Sequence, residues 1–197
     1  MRKILLFAIA LAGIISGCSK ENTTPPIEAK SFDVDASVST KWKYFSFEKN
    51  DTLTITDPAS SNEWDLAFQR YRVRTNGGKS GNGMGSAANS YKKGQSGFDE
   101  LVVVPDTATF STDSDIQIAV QGGYATYIVN PEIYTWFAIE LAATGTQIVP
   151  TDNVYIVKAG SGKFAKVWFK SYYSATNVSG HITFQYKYQA DGSKKLE

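Results

Sequence analysis

Reactive side chains are scarce in this chain. Cys18 is the only cysteine, His181 is the only histidine, and Met84 is the only methionine besides the first residue. One cysteine cannot form an internal disulfide, and the sequence contains no cluster of His, Cys and acidic residues at metal-ligand spacing. A nucleophile with its base is also missing. Two carboxylates that the fold brings together would be an alternative catalytic site for glycoside hydrolysis, but the sequence singles out no such pair. The sequence therefore predicts a binding protein and not an enzyme.

Excess charge and long apolar runs are absent as well. The formal net charge is only +1, which gives no reason to expect nucleic acid or a charge-driven membrane contact. The apolar run over residues 4–15 is shorter than the roughly 20 residues that a membrane-spanning helix needs. It follows Arg2 and Lys3, so the segment has the charged start and apolar centre of a signal peptide.

The apolar run ends at Ile15-Ser16-Gly17-Cys18, which resembles the lipobox of bacterial lipoproteins. That resemblance implies a signal peptide over residues 1–17 and acylation of Cys18, with the membrane reached through the lipid anchor only. The residues 19–21, Ser-Lys-Glu, resemble the short signal that sends some lipoproteins to the outer face of the outer membrane. The alternative is an ordinary secretory signal followed by a cysteine without a role.

The rest of the chain predicts one folded domain between two flexible ends. Residues 18–30 include TTPPIEAK, which is too polar to bury much surface, and they are expected to be a flexible tether. Residues 31–190 are long enough for one domain with a sizeable core. Residues 191–197 are expected to be a disordered tail.

Alternating apolar residues predict an all-β fold. Trp64, Leu66 and Phe68 alternate with less apolar neighbours, as in a half-buried strand. The pattern then changes phase, and a bulge near Gln69 would explain this change. Further strands are expected at 42–47, 116–120, 154–157, 165–170 and 182–188, with turn signals between them. We therefore expect one sandwich or strongly curved antiparallel sheet of many short strands.

Glycine is concentrated in RVRTNGGKSGNGMGSA, residues 72–87. Val73 stands where a P-loop needs its first glycine, and Ser86 stands where the dinucleotide motif needs its third. No apolar helix follows to direct its N-terminus at an anion. The stretch is therefore predicted to be a tightly packed connection, in which glycines permit close approach of the backbone.

The same region carries a family resemblance. WDLAFQRYRVRTNGGKSGNGMGSA, residues 64–87, resembles the most distinctive motif of the HmuY-type lipoproteins: Trp-Asp, a patterned strand with an arginine, Arg-x-Asn and a Gly-Ser-Gly-rich loop. WKYFSF (42–47), VYIVKAGSGKFAKVWFKSYY (154–173) and GHITFQYKY (180–188) agree in order. The matching positions of the motif are Trp64, Asp65, Arg70, Arg74, Asn76, Gly78, Ser80, Gly81 and Gly83.

The resemblance implies an all-β, surface-anchored or shed protein that binds haem. Its characterised members take haem from host carriers and pass it to a TonB-dependent outer-membrane receptor. They hold the iron with paired His or paired Met on the segment before the late hairpin. Here that segment, residues 105–153, has neither residue type, and the second ligand position falls near Leu141.

Other side chains are therefore candidates for the iron and the porphyrin. An axial ligand is usually His, Met, Tyr or Cys. The candidate ligands are Tyr124, Tyr127, Tyr134, His181 and Met84. The residues predicted to contact a flat apolar ligand or its carboxylates are Trp136, Phe137, Arg70, Arg72 and Arg74. The alternative is the same scaffold with a different ligand, a glycan or a protein partner.

Overall fold

The structure, a computed structural model, describes residues 26–143 and 145–197, and this part of the chain is dominated by strands. It has one α-helix, α1 (Gly94–Glu100), and one 3₁₀ helix, Ile133–Trp136. The strands are β1 Lys30–Asp35, β2 Lys43–Ser46, β3 Asp51–Leu53, β4 Leu66–Gln69, β5 Arg72–Thr75, β6 Ser86–Lys93, β7 Ser114–Val120, β8 Gly123–Val129, β9 Phe137–Ala142, β10 Gly145–Pro150, β11 Asn153–Lys158, β12 Phe164–Tyr173 and β13 Ser179–Gln189.

The strands form two larger sheets and two hairpins. One sheet has the order β1-β13-β12-β11-β6, and the other has the order β3-β2-β4-β5. The hairpins β7–β8 and β9–β10 are separate two-stranded sheets. Neighbouring strands are antiparallel throughout the described pairings. The prediction of a single all-β domain is confirmed.

The main core lies between the two larger sheets. Phe45 and Phe68 of the four-stranded sheet meet Phe184 of β13, with ring centres 5.2 and 5.4 Å apart. These three side chains are fully buried, as is Trp64, whose Nε1 donates to the carbonyl of Pro58. Burying several large aromatic side chains is the main favourable contribution to a fold of this size.

A smaller core covers the other face of the five-stranded sheet. It contains Phe98 of α1, Ile156 of β11 and Leu196 near the end of the chain. Lys166 of β12 is buried on this face, and its Nζ donates to the carbonyls of Phe98 and Leu101 at the end of α1. The end of the chain, expected from the sequence to be a disordered tail over 191–197, is placed by the structure against this core, because Leu196 is apolar and fully buried.

The alternation of apolar residues that begins at Trp64 changes phase near Gln69, and the cause is not the predicted bulge. Gln69 and Arg72 form the last pair between β4 and β5, and Arg70 and Tyr71 form a two-residue turn between them. Arg70 takes a positive φ of 54°, as hairpin turns require of some residues. β4 is also buried on both faces and not on one, because Ala67 lies between Tyr44 and Arg74 in the sheet.

The glycine-rich stretch wraps tightly around one side chain, that of Asn76. Its buried amide donates to the carbonyls of Ser61 and Trp64. A Cβ on Gly81 would lie 2.1 Å from Oδ1 of Asn76, and a Cβ on Gly77 would lie 2.0 Å from the carbonyl oxygen of Gly85. The glycines are therefore needed for close packing, as the sequence predicted.

The signal peptide, Cys18 and most of the expected tether lie outside the described residues. The described chain already pairs at Lys30, the last residue of the expected tether and the first of β1. Within residues 26–143 and 145–197, no helix has the length and apolar character needed to cross a membrane.

Candidate functional site

The two hairpins each present one apolar face. Residues directly opposite one another in an antiparallel pair point to the same side, and successive residues alternate. On β7–β8, Ile116 and Ile118 therefore share a face with Tyr127 of β8. On β9–β10, the shared face carries Phe137, Ile139 and Leu141 of β9. Both hairpins lie in the segment where the family resemblance places the iron ligands.

The apolar face of β9 becomes more exposed along the strand. Phe137 is half-buried against the main core, whereas Ile139 is 65% exposed and Leu141 is 91% exposed. Their neighbour Ile148 on β10 also packs against the main core. A strip of large apolar side chains that leads outward from the core is typical of a surface that contacts a ligand or a partner.

A cluster of aromatic rings around one arginine lies where the two apolar faces begin. We call it the tyrosine–arginine cluster, and its members are Arg72, Tyr71, Tyr127, Tyr134, Phe137 and Tyr172. The Arg72 guanidinium carbon lies 4.1 Å from the centre of the Tyr127 ring and 5.9 Å from that of Tyr71. Ring centres of Tyr71 and Phe137 are 4.9 Å apart, and those of Tyr134 and Phe137 are 5.3 Å apart. Ring centres of Tyr71 and Tyr172 are 6.4 Å apart, so the cluster joins β5, β8, the 3₁₀ helix, β9 and β12.

Two hydroxyls of the cluster, those of Tyr134 and Tyr172, have a raised pKa. Burial raises the pKa of Tyr134, and the neighbouring Tyr71 and Tyr127 raise it further while Arg72 lowers it. Burial likewise raises the pKa of Tyr172, against the opposing effect of Arg70 and Arg72. The cluster thus places the positive charge of Arg72 among tyrosine rings, which makes it suited to a ligand carrying an anionic group.

The three arginines predicted to contact ligand have three different environments. Arg70 donates to the carbonyls of Ser37 and Ser179 and to the Ser179 hydroxyl, so it ties the turn to the five-stranded sheet. Arg74 donates through Nε to the carbonyl of Ile128, and its guanidinium lies 3.9 Å from the centre of the Trp42 ring. Arg70 also lies 5.5 Å from the centre of the Tyr172 ring, whereas only Arg72 stacks on the ring of Tyr127.

The three candidate tyrosines do not come together. Tyr127 and Tyr134 belong to the cluster, and Tyr127 is one of the neighbours that raise the pKa of Tyr134. Tyr124 lies three residues before Tyr127 on β8, so its side chain is on the opposite face of the hairpin. It is 75% exposed near the hairpin tip.

The two predicted stacking residues also differ. Trp136 is fully buried in the main core, where its Nε1 donates to the carbonyl of Tyr71. It supports the cluster from the core side, and its burial leaves no face of the indole ring free to contact a ligand. Phe137 is half-buried and lies at the start of the exposed apolar strip.

His181 and Met84 lie in other places. His181 alternates on β13 with the core residue Ile182, so it points away from the main core, and its Nε2 is 3.7 Å from Oδ1 of Asp35. It lines a cleft of about 470 Å³ with Asp33 and Tyr173. Met84 is 58% exposed in the glycine-rich stretch. Among the residues that the structure describes, no group of three or more His, Cys, Asp and Glu could hold a metal ion.

A separate polar cleft of about 410 Å³ lies beside β6. Tyr91 is 87% exposed there with a φ of 58°, and its backbone N–H donates to the side chain of Asn89. Thr107 and Glu132 also line this cleft. The site combines an exposed aromatic ring with hydroxyl, amide and carboxylate groups.

Tyr71 and Tyr172 belong to the cluster but were not predicted from the sequence. Tyr71 stands next to Arg70 in a segment that reads as continuous strand, and Tyr172 lies 101 residues later in β12. The only sequence signal was their place in the two stretches that carry the family resemblance. Their proximity depends on how the two larger sheets pack, which no local pattern records.

Comparison with known proteins agrees with this architecture. A family model described as HmuY protein matches residues 38–186, more than half of the chain. No curated protein sequence matches.

Solved structures provide a second comparison, at identities low enough to show the fold alone. An apo HmuY analogue from Tannerella forsythia is 21% identical, with a TM-score of 0.62, over 85% of this chain and 99% of that one. A protein assigned as HmuY-like and haem-binding, from Bacteroides vulgatus, is 23% identical with a TM-score of 0.61, over 81% and 91%. A protein assigned as a lipoprotein, from Bacteroides fragilis, is 23% identical with a TM-score of 0.62, over 81% and 88%.

Proposed function

Because the chain belongs to the HmuY family, we propose that it binds haem or a closely related porphyrin at the tyrosine–arginine cluster. The observation that carries the proposal is the apolar strip on β9, which runs from the half-buried Phe137 of the cluster to the exposed Ile139 and Leu141. A flat apolar ligand would cover this strip and rest its edge on the aromatic rings. Ligand sites typically combine such apolar walls with a few polar groups.

The cluster fits the porphyrin body better than it fits the iron. The apolar strip and the rings of Tyr127 and Phe137 match a flat apolar surface, and Arg72 provides positive charge. The paired His or Met ligands of the haem-binding relatives have no counterpart in residues 105–153. A phenol oxygen of Tyr127 or Tyr134 is the axial ligand that the cluster offers to ferric haem.

The proposed place of the protein in the cell is the outer membrane, with the lipid on Cys18 as its anchor and the folded domain facing outward. In this account it acts as a binding protein and not as an enzyme, and it passes its ligand to a TonB-dependent receptor. The ligand is the part of the proposal to test first.

A hemin titration of the purified protein, with detergent alone as the background, tests the proposal. We expect a shifted Soret band and the spectrum of a high-spin ferric haem, because a single tyrosine is a weaker-field arrangement than paired His or Met. Tyr127→Phe or Tyr134→Phe is expected to change that spectrum. Tyr124→Phe is the matched control and is expected to leave it unchanged, since Tyr124 lies on the other face of the hairpin.

Two results would count against the proposal in different ways. A six-coordinate low-spin spectrum that is lost in His181→Ala would move the iron to the cleft beside β13. No spectral change at any hemin concentration would remove haem as the ligand and favour the second candidate.

That second candidate is a glycan-binding lipoprotein on the same scaffold, and the cleft beside β6 favours it. The exposed ring of Tyr91 offers a flat surface for a sugar ring, and Asn89, Thr107 and Glu132 offer partners for hydroxyl groups. Binding to immobilised glycans that is lost in Tyr91→Ala and retained in Tyr124→Ala, another exposed tyrosine, would support this alternative. Binding that both variants retain would rule out the β6 cleft as the glycan site.

A further inference from the structure

Arg72 is a buried cation whose Nε is left without a hydrogen bond. It is 8% exposed, and its Nε has no hydrogen-bond partner. Across residues 26–143 and 145–197, the ion pairs involve other residues, and none includes Arg72. Burying an ionised side chain without a partner is costly, so such groups in proteins are normally paired.

The neighbouring arginines show that this hairpin can provide partners. Arg70, in the turn before Arg72, donates to three oxygen atoms of Ser37 and Ser179. Arg74, two residues after it, donates to the carbonyl of Ile128. Of the three arginines, therefore, only Arg72, which stacks on Tyr127, has a buried Nε without a hydrogen-bond partner.

The rings contact the guanidinium of Arg72 through its flat face. Tyr127 lies 4.1 Å from the guanidinium carbon, close enough for stacking and for a cation–π contact. Stacking uses the flat face of the guanidinium, whereas its N–H groups point outward in the plane. Those N–H groups form a fork that matches the two oxygen atoms of a carboxylate.

We infer that Arg72 is the anchor for a carboxylate of the ligand, so the ligand class is a flat apolar molecule that carries at least one carboxylate. The inference rests on the proposed function, because it places the carboxylate edge of a porphyrin on Arg72 and its apolar face on Phe137 and Ile139. It also goes further, because recognition through Arg72 does not depend on a metal at the centre of the ligand.

The test compares protoporphyrin IX, without a metal, with its dimethyl ester, by fluorescence titration of the full chain. The two compounds share the flat apolar body, and only the free acid can pair with a guanidinium. We expect the ester to bind about tenfold or more weakly, as is typical when a hydrogen bond to a charged group is lost. Arg72→Met is expected to weaken binding of the free acid by a similar factor and to leave the affinity for the ester unchanged.

Lys170→Met is the matched control. Lys170 is exposed and also lies over an aromatic ring, with its Nζ 4.6 Å from the centre of Trp168. Its replacement removes one stacked positive charge from a different face of the molecule, and it is expected to change neither affinity. If Arg72→Met does not fold, the comparison of acid and ester on the unmodified protein still tests whether binding requires the carboxylate.

The outcomes separate this inference from the proposed function. Equal affinity for acid and ester overturns the role of Arg72 and leaves porphyrin binding in place. Binding of hemin but of neither metal-free compound also overturns it, because recognition would then require the iron. Failure of hemin and both metal-free compounds to bind overturns the inference and the proposed function together.

Discussion

The guanidinium of Arg72 stacks on the ring of Tyr127, 4.1 Å from the guanidinium carbon to the ring centre. This contact joins β5 of the four-stranded sheet to β8 of a hairpin. It is also the point where positive charge meets the apolar faces of the hairpins. The binding properties of the protein are expected to depend on it, whereas the stability of the unliganded protein is not.

Replacing Arg72 with Met is expected to leave the unliganded protein as stable as before or more stable. The change removes an unpaired buried charge, and exchanging buried charges for apolar groups of similar volume is often neutral or stabilising. Arg74→Met is the comparison, and it is expected to lower the melting temperature because it leaves the carbonyl of Ile128 without its donor. A larger loss of stability in Arg72→Met than in Arg74→Met would show that Arg72 serves the fold.

Gly81→Ala is expected to destabilise the protein. The new Cβ would lie 2.1 Å from Oδ1 of Asn76, which is fixed by hydrogen bonds and cannot move aside. A cost of about 1–3 kcal/mol, as for other overpacked sites, would appear in thermal or denaturant unfolding. Asn82→Ala, at the exposed neighbouring position, is the control and is expected to have little effect. Equal stability of the two variants would contradict the packing described for this stretch.

The protein is expected to gain stability from Asp65 as the pH falls from 7 to about 4. Burial raises the pKa of this carboxyl from 3.8 to about 6, despite hydrogen bonds donated by the backbone N–H groups of Phe47 and Gly160. Between these two values the folded state binds more protons than the unfolded state, so the cost of the buried charge is relieved on acidification. The shift corresponds to about 3 kcal/mol.

The measurement is the difference in unfolding free energy between the native protein and Asp65→Asn across this pH range. Other groups titrate in both proteins and cancel in the difference. The unfolding free energy of the native protein is expected to rise relative to that of the variant as the pH falls. A native protein that loses stability relative to Asp65→Asn would mean that the hydrogen bonds outweigh burial and lower the pKa.

Cys18→Ala is expected to release the protein from membranes. Stable anchoring needs more than one acyl chain, and a bacterial lipoprotein carries several on its cysteine. Fractionation of cells and partitioning into detergent compare the variant with the native protein. If both fractionate alike, the sequence before Ser19 is not a lipoprotein signal.

The sequence predicted the fold well where a local pattern records it. Alternation around Phe68 and Phe184 identified strands whose apolar sides form the core, and the glycines around Asn76 were correctly expected to serve close packing. The alternation of apolar residues gave a wrong prediction where a strand is buried by elements that are distant in the sequence. β4 is covered on both faces, and the change of phase is a turn at Arg70 and not a bulge, since a two-residue turn and a bulge change the phase in the same way.

The candidate site was less accessible to sequence reasoning. The alternating arginines look equivalent in the sequence, yet their partners differ and lie far away in the chain. Arg70 is paired with β13, Arg72 stacks in the ring cluster, and Arg74 donates to β8. Tyr127 and Tyr134 were candidates because of their segment, whereas Tyr71 and Tyr172 depend on sheet packing. A series of like residues does not reveal which member has no partner.

The most direct test of the proposed site is to observe which residues a porphyrin contacts. Gallium protoporphyrin IX is diamagnetic and can replace haem in a titration of ¹⁵N-labelled protein followed by NMR. Binding at the tyrosine–arginine cluster predicts that the largest amide shifts occur in β8, the 3₁₀ helix and β9, including Tyr127, Tyr134 and Ile139. Largest shifts around His181 or Met84, with those three amides unchanged, would contradict the account.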